Sequence, residues 1–130
     1  ETQMIVHQVV EDKCWGKVAH LFNADHCAVS YLEVNAYFRS SRHRHDWRAN
    51  QFSVVTGRIA VEEFDEASLT LKKSTVVDPG QSYTVPSGVV HRFRVLKSGV
   101  VIEVYWPDVP GGAALLDDIT RFDVGGNDDS

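Results

Sequence analysis

Three histidines have the residue type and spacing that fit metal chemistry: His43 and His45, one residue apart, and His91. In an extended strand, residues two apart point to the same face, so the imidazoles of His43 and His45 can grip one ion. His91 follows the tight turn Pro86-Ser87-Gly88 at the start of another segment. Taken separately, these features also fit a surface histidine pair and a strand-entry histidine bonded to backbone. Together, in a chain expected to form a small barrel, they favour one shared site, because such barrels hold a single small ligand or metal.

The elements that must position these histidines are short strands. Segments rich in Val, Ile, Thr and aromatic residues recur, each bounded by turn residues. The predicted strands are 4–10, 18–22, 28–37, 51–56, 58–64, 68–72, 91–96 and 100–106. Gly57 and Lys97-Ser98-Gly99 are interpreted as the turns of two hairpins. In 28–37, the alternation predicts Ala28, Ser30, Leu32 and Val34 on one face. Many short strands at this spacing predict an all-β sandwich or barrel, and the tail allows a helical turn over 113–119.

Composition bounds the class of protein. The chain has 130 residues, 43% of them hydrophobic, which is enough for one domain with a buried core, taken here as 1–130. The net charge of -5 argues against a nucleic-acid surface. No apolar run reaches the ~20 residues of a membrane span, and no leader pattern is visible. Cys14 and Cys27 do not make a disulfide framework, so a reduced, cytoplasmic protein is expected.

Two motifs resemble those of the cupin superfamily. The first cupin motif is His-x-His, three or four residues, Glu, six residues and Gly, and the chain has His43, His45, Asn50 and Gly57 at that spacing. The second is Gly, five residues, Pro-x-Gly, two residues and His, matched by Gly80, Pro86, Gly88 and His91. The resemblance implies a double-stranded β-helix, a jelly-roll barrel, with its motif core over about 15–122.

A closer resemblance is to the C-terminal cupin domain of type II mannose-6-phosphate isomerases. Residues 41–52, SRHRHDWRANQF, lie over that family's SLQYHHHRAEHW without a gap. Residues 81–92, QSYTVPSGVVHR, fit its pattern QSxxxPxGVxHR, and VIEV at 101–104 and DDITRF at 117–122 fit its C-terminal part. With Trp15-Gly16, the similarity runs from residue 15 to residue 122.

The resemblance implies a set of metal ligands. They are His43, His45, Asn50 and His91, with Gln51 as the alternative oxygen donor if the register slips by one residue. Asn50 stands where the family has a carboxylate, so the site would carry more positive charge and favour an anionic further ligand. Three imidazoles and a carbonyl oxygen suit a divalent ion such as Zn, Fe, Mn or Ni.

Three further residues are candidates for catalytic roles. Glu103 lies in an otherwise apolar segment, and it could move a proton if its face is the barrel interior. Arg48, between the ligands, and Arg121, in the tail, could bind an anion, although surface ion pairs explain both equally well. The other arginines near the motifs are expected to point outward to acids: Arg42, Arg44, Arg92 and Arg94. The remaining histidines are expected to be structural or surface residues: His7, His20 and His26.

The function that the resemblance implies is a small metal-binding cupin acting on a sugar or sugar phosphate, with aldose–ketose isomerisation as the favoured reaction. The alternatives are a non-catalytic sugar-binding or regulatory cupin, which the Asn50 exchange favours, and a metal cupin with other chemistry such as dioxygenation. The expected partners are a small polar or anionic ligand and a second copy of the chain, since 4–10 is a natural strand to pair across a homodimer.

Overall fold

Eleven β-strands make up the regular structure that the computed structural model describes, residues 4–113 and 117–128. In chain order they are β1 Val9–Lys13, β2 Gly16–Ala24, β3 Cys27–Val34, β4 Phe38–Arg39, β5 His43–Arg44, β6 Arg48–Phe64, β7 Leu71–Val77, β8 Ser82–Val85, β9 Val90–Pro107, β10 Thr120–Arg121 and β11 Gly126–Asn127. They are hydrogen-bonded into one curled sheet, and the described residues contain no helix. The predicted all-β jelly-roll fold is confirmed.

Two long antiparallel strands, β6 and β9, form the spine of the sheet. They pair from Arg48 opposite Pro107 to Phe64 opposite Val90. The two hairpins predicted from Gly57 and Gly99 are therefore wrong. Each predicted hairpin is one continuous strand, and its turn residues mark a kink where the register of β6 against β9 shifts several times.

Glycine is required at this kink because the two backbones approach each other closely. A Cβ atom on Gly99 would lie 2.1 Å from the carbonyl oxygen of Thr56, and one on Gly57 would lie 2.6 Å from that of Lys97. Gly57 also has a φ of 85°, in the left-handed region that glycine adopts without steric cost. Register shifts bend strands and increase their twist, and the sheet curls here.

The kink divides the sheet into two halves that face each other. The first half of β6 pairs with β8, and the second half of β9 pairs with β3. Beyond the kink, the second half of β6 pairs with β7, and the first half of β9 pairs with β4 and β5. Each long strand thus contributes to both layers, and the site lies on their inner faces.

The core lies between these layers. In β3 the buried residues are Ala28, Ser30, Leu32 and Val34, as the alternation predicts. The core cluster draws on β2, β3 and β6 to β9, and it consists of Trp15, Val18, Leu32, Val34, Phe52, Val54, Ile59, Val61, Val77, Val85, Phe93, Val95 and Val101.

Both ends of the chain differ from the prediction. The first strand begins at Val9, and residues 4–8 precede it without strand structure, exposed to solvent. The helical turn predicted over 113–119 falls partly on 114–116, outside the described residues, and residues 117–119 are not helical. Instead β10 pairs with β5 and β11 with β4, so the tail completes the sheet edge. The described residues include no helix that could cross a bilayer.

Candidate metal centre

Three histidine side chains meet where β5 and β9 pair. His43 lies opposite His91 in the strand register, and His45 follows two residues after His43. The ring centroids are 4.5 Å apart for His43 and His91, 5.0 Å for His43 and His45, and 5.3 Å for His45 and His91. One ligand nitrogen from each ring lies within 4.8 Å of the others, and all three residues are buried. These three residues are called the histidine cluster below.

Each ring of the cluster is oriented by a backbone carbonyl that lies beside its Nδ1. The acceptors are Ser41 O for His43 at 2.8 Å, Asp118 O for His45 at 2.7 Å, and Val89 O for His91 at 2.9 Å. A neutral imidazole that donates through Nδ1 carries its lone pair on Nε2. Metal-binding histidines characteristically donate their second nitrogen in this way, so the backbone prepares all three Nε2 atoms as ligands.

Three buried side-chain atoms in the described part of the chain have no hydrogen-bond partner: Nε2 of His45, Nε2 of His91 and Oδ1 of Asn50. Buried polar atoms are almost always paired, and each exception calls for an explanation such as an ion. All three atoms carry lone pairs and belong to predicted ligands. The residues present therefore fit a divalent cation.

The cluster is uncharged near neutral pH. Burial lowers the pKa of His43 well below its usual value of 6.5, and the neighbouring His91 and His45 lower it further. Burial, followed by the Arg48 charge, lowers the pKa of His45 to about 3. Burial lowers the pKa of His91 to about 4. Only neutral imidazole binds a metal, so the lowered values favour the ligand form.

Asn50 lies on the interior face of β6, fully buried, and contacts Glu103 on the neighbouring strand. Its Nδ2 donates a 2.9 Å hydrogen bond to Oε2 of Glu103. Glu103 is itself buried, and burial raises the pKa of its carboxyl, while hydrogen bonds from Tyr105 and Asn50 oppose the rise. The structure thus places Glu103 on the interior, the orientation that would let it move a proton.

Gln51 lies on the opposite face of β6 from Asn50. Its Nε2 donates to Oγ of Ser53 at 3.2 Å, and its Oε1 accepts from Oγ1 of Thr84 at 3.5 Å. The alternative in which Gln51 supplies the oxygen ligand does not agree with this placement, because strand alternation turns the side chain away from the cluster.

The two candidate anion-binding arginines differ in burial. Arg48 begins β6, is 3% exposed, and holds its guanidinium carbon 3.8 Å from the ring centre of Tyr105. Its Nε lies 3.3 Å from Nδ1 of His45. Arginine only donates and a carbonyl oxygen only accepts, so Nδ1 of His45 cannot satisfy both contacts. We assign its proton from the shorter contact, 2.7 Å to Asp118 O, in which Nδ1 donates. Arg121 is exposed, lies opposite His43 in the strand register, and lines the same cavity as Arg48.

A cavity of about 880 Å³ opens onto two members of the cluster, His43 and His45. It is lined by His43, His45, Arg48, Glu103, Tyr105 and Arg121 among others. His20 also lines it, and its Nδ1 lies 3.0 Å from Oγ of Ser30. The contact with Ser30 agrees with the predicted structural role of His20, but the prediction did not include its place on the cavity wall. The signal was available, since alternation along β2 puts His20 on the same face as the core residue Val18.

The outward arginines behave as predicted. Their carboxylate partners are Asp123 for Arg42, Asp46 and Glu66 for Arg44, Glu62 for Arg92, and Glu62 and Asp128 for Arg94. These pairs account for much of the positive charge around the motifs. The arginines that line the cavity itself are Arg48 and Arg121.

The comparison with protein families agrees with the fold and the cluster. The family model described as "Cupin domain" matches residues 30–106. The chain belongs to the cupin family. No curated protein is a significant match in sequence.

Solved cupin-like structures share the fold at low identity. Oxalate decarboxylase from Bacillus subtilis is 14% identical, with a TM-score of 0.70 over 88% of this chain and 30% of that one. The capsular polysaccharide assembling protein CapF from Staphylococcus aureus is 15% identical, with a TM-score of 0.69 over 91% of this chain and 35% of that one. KdgF from Halomonas sp. is 16% identical, with a TM-score of 0.60 over 72% and 80%. This cupin spans about a third of the first two proteins.

The cupin's donor set defines what the centre can do chemically. Three neutral imidazoles would leave the full charge of a divalent ion uncompensated by its ligands, and the amide oxygen of Asn50, if it joined them, would not change that; this favours an additional ligand that is anionic or rich in oxygen. Among the similar structures, the Bacillus subtilis oxalate decarboxylase is described as having Mn(II) centres. The donor set here accommodates Mn, Fe, Ni or Zn and does not distinguish between them.

Proposed function

We propose that this cupin is a divalent-metal-dependent enzyme that acts on a sugar or sugar phosphate by aldose–ketose isomerisation. The observation that carries the proposal is the orientation of the histidine cluster. Each Nδ1 lies against a backbone carbonyl, so each Nε2 carries the lone pair, and one ligand nitrogen from each ring lies within 4.8 Å of the others in a buried site. The ligands of the proposed centre are the cluster and Asn50, whose Oδ1 lacks a partner.

The cavity supports a small, polar, anionic substrate. Its wall carries Arg48 and Arg121 beside the cluster, and arginine binds phosphate through two parallel hydrogen bonds. CapF, one of the similar structures, is described as a capsular polysaccharide assembling protein. The sequence resemblance to type II mannose-6-phosphate isomerases points to the same substrate class.

Isomerisation needs a metal ion at the substrate oxygens and a base at its carbon atoms. A bound divalent ion would polarise the substrate carbonyl and hold the neighbouring oxygen. Glu103 would take the proton from C2 of an aldose and return it to C1, while the hydroxyl proton of O2 passes to O1, so no proton is gained or lost overall. Burial raises the pKa of Glu103 and thereby strengthens its carboxylate as a base.

Asn50 favours a second candidate function, a non-catalytic sugar-binding cupin. A neutral amide cannot act as a base, and its oxygen is a weaker ligand than a carboxylate. The same cavity would then bind its ligand without turnover.

Metal content and proton exchange test the proposal. Protein purified without an affinity tag is expected to hold metal near one equivalent, and His43→Ala and His91→Ala are expected to lose it. Leu21→Ala serves as a control, because Leu21 also lines the cavity but has no side-chain atom that can bind a metal. A panel of sugar phosphates in D₂O is then expected to show deuterium incorporation by the wild type. Metal without exchange on any panel member would favour the binding-only cupin, and absence of metal would overturn the metal centre.

We also propose a cytoplasmic homodimer built on the N-terminal segment. β1 has β2 as its one strand partner within the described residues, so its outer edge is available for pairing. Met4, Ile5 and Val6, just before it, are 85%, 73% and 83% exposed. Sedimentation at micromolar concentration tests this proposal, and a monomer would contradict it.

A further inference from the structure

The buried contact between Asn50 and Glu103 sets which end of the Asn50 amide faces the interior. Nδ2 donates to Oε2 of Glu103 at 2.9 Å, while Oδ1 has no hydrogen-bond partner and the residue is fully buried. A carboxylate oxygen only accepts hydrogen bonds, so it requires the nitrogen of the amide on its side. Rotating the amide by half a turn would place Oδ1 of Asn50 against Oε2 of Glu103, so that two acceptors would meet. It would also put Nδ2, which cannot bind a metal, where Oδ1 now lies.

Glu103 is itself held in place. Its Oε2 accepts the bond from Asn50, and the Tyr105 side chain, two residues along β9 on the same face, lowers the pKa of the carboxyl. Arg48 stacks on the ring of Tyr105 and adds a positive charge to the same wall. A buried carboxylate bonded in this way can impose an orientation on its neighbour, because rotating away would break the hydrogen bond inside the protein.

We propose that Glu103 is a positioning residue for the metal centre, which holds Asn50 so that Oδ1 is presented to a divalent cation bound by the histidine cluster. The carboxylate also places a negative charge directly behind a ligand set that is otherwise neutral. Groups that orient metal ligands commonly change metal affinity by 10- to 100-fold when they are removed. This inference rests on the metal-binding part of the proposed function.

Positioning Asn50 is compatible with proton transfer by Glu103, because the hydrogen bond from Asn50 goes to one carboxylate oxygen, Oε2, and not to Oε1. The two roles separate in a substitution. Glu103→Gln retains an acceptor for Nδ2 of Asn50 but removes the base, whereas Glu103→Leu removes both.

The test measures Zn²⁺ affinity by competition with a chelator, without reference to turnover. Glu103→Leu is expected to weaken binding by 10- to 100-fold, and Glu103→Gln by less than about tenfold. Asn50→Leu is expected to resemble Glu103→Leu, and the double variant to be no weaker than Asn50→Leu alone, because both changes remove the same ligand. Additive losses in this double-mutant cycle, or equal losses in Glu103→Gln and Glu103→Leu, would overturn the inference.

A matched control separates positioning from general stability. Glu62→Leu removes another carboxylate that is also 7% exposed, one that binds Arg92 instead of Asn50. It is expected to lower stability and leave Zn²⁺ affinity unchanged. The visible spectrum of the Co²⁺-loaded protein gives a second readout, in which Glu103→Leu and Asn50→Leu should shift the absorption alike while Glu62→Leu does not. Different shifts in the first two variants would count against the inference.

The outcomes distinguish this inference from the proposed function. A wild type that binds Zn²⁺ only as tightly as Glu103→Leu overturns the inference and leaves the metal enzyme standing. A wild type that binds no metal overturns both. If the double-mutant cycle gives the predicted Zn²⁺ affinities but no deuterium is incorporated into any sugar phosphate, the positioning role of Glu103 is supported and the isomerase proposal is overturned.

Discussion

The backbone carbonyl of Asp118 accepts a 2.7 Å hydrogen bond from Nδ1 of His45. The side chain of the same residue holds the turn that follows this histidine, because its two carboxylate oxygens accept from the backbone N–H groups of Asp46 and Trp47 at 2.9 and 2.8 Å. Asp118 is 9% exposed. One residue of the tail therefore fixes both the tautomer of His45 and the backbone on its C-terminal side.

Asp118→Ala is expected to weaken Zn²⁺ affinity by about 10- to 100-fold, the range found when groups that orient metal ligands are removed. The side chain no longer anchors the tail to the turn, so the carbonyl that orients His45 is no longer held in register. Chelator competition measures the affinity, and thermal unfolding of the metal-free protein measures the accompanying loss of stability.

The control for this change is Asp65→Ala. The Asp65 carboxylate also accepts from two backbone N–H groups, those of Ala67 and Ser68, but in a turn whose bonds toward β5 go to the side chains of Arg42 and Arg44 and not to a histidine of the cluster. This variant should lose stability without losing Zn²⁺ affinity. If both variants bind Zn²⁺ equally well, Asp118 is merely a structural residue.

The close approach at Gly99 predicts a large effect on stability. Gly99→Ala would place a Cβ 2.1 Å from the carbonyl oxygen of Thr56, so the paired backbones of β6 and β9 would have to separate. The free energy of unfolding is expected to fall by about 3 kcal/mol or more, at or beyond the usual cost of overpacking. Urea unfolding of the metal-free protein measures it.

Gly80→Ala is the comparison for Gly99→Ala. Gly80 has a φ of 83°, and no atom lies within 4 Å of the point that a Cβ would occupy, so substitution costs only the unfavourable backbone conformation, roughly 1 kcal/mol. Equal losses in the two variants would show that the crossing of the two strands relaxes easily.

The sequence predicts the features of this fold that depend on local pattern. Alternation in β3 identifies its buried face, and the spacing of His43, His45 and His91 identifies the residues of the cluster. Gly57 and Gly99 mislead because a glycine-containing segment is equally suited to a hairpin turn and to a kink in a continuous strand. The difference between them is which strand lies opposite, and that pairing is made by residues about 40 positions away.

Other parts of the site depend on contacts that local patterns do not contain. Glu103 could be assigned to one of two faces, and only the pairing of β9 with β6 and β3 makes its face the interior. Asp118 acts on His45 through a tail that pairs with β5, far away in the sequence. His20 is different, because alternation with Val18 already indicates its face, although no other histidine lies at a metal-ligand spacing from it in the sequence.

Arg121 is expected to contribute to ligand affinity with little effect on stability. It is exposed, lines the cavity and lies opposite His43 in the strand register, so it can reach an anion held at the centre. Arg121→Gln should raise the Kd for inorganic phosphate or a sugar phosphate about tenfold, measured by calorimetry on metal-loaded protein, and weaken its salt dependence. Arg58→Gln, which removes an exposed pair with Asp78, should change neither. Equal affinity in the wild type and Arg121→Gln would exclude this arginine from the anion site.

The histidine cluster predicts that acid destabilises the metal-free protein. The pKa of each ring is lowered in the folded state, to about 3 for His45 and about 4 for His91, from 6.5. Below pH 6.5 the unfolded chain therefore binds more protons than the folded one, and stability falls as the pH decreases, by up to about 1.4 kcal/mol per pH unit for each histidine. Above pH 7 this contribution is fully present and constant. Urea unfolding in a chelator at several values between pH 7.5 and 5 measures the dependence.

The comparison that isolates the cluster is His91→Gln. This variant lacks one of the three rings, so its free energy of unfolding should depend less steeply on pH. The slope should be smaller than that of the wild type by up to about 1.4 kcal/mol per pH unit. Glu103 has a raised pKa and changes stability in the opposite direction, but it does so in both proteins and cancels in the difference. Parallel curves for the wild type and His91→Gln would contradict the prediction. They would mean that the His91 ring has the same pKa in the folded and the unfolded chain. Its burial and its bond to the Val89 carbonyl do not allow that in this structure.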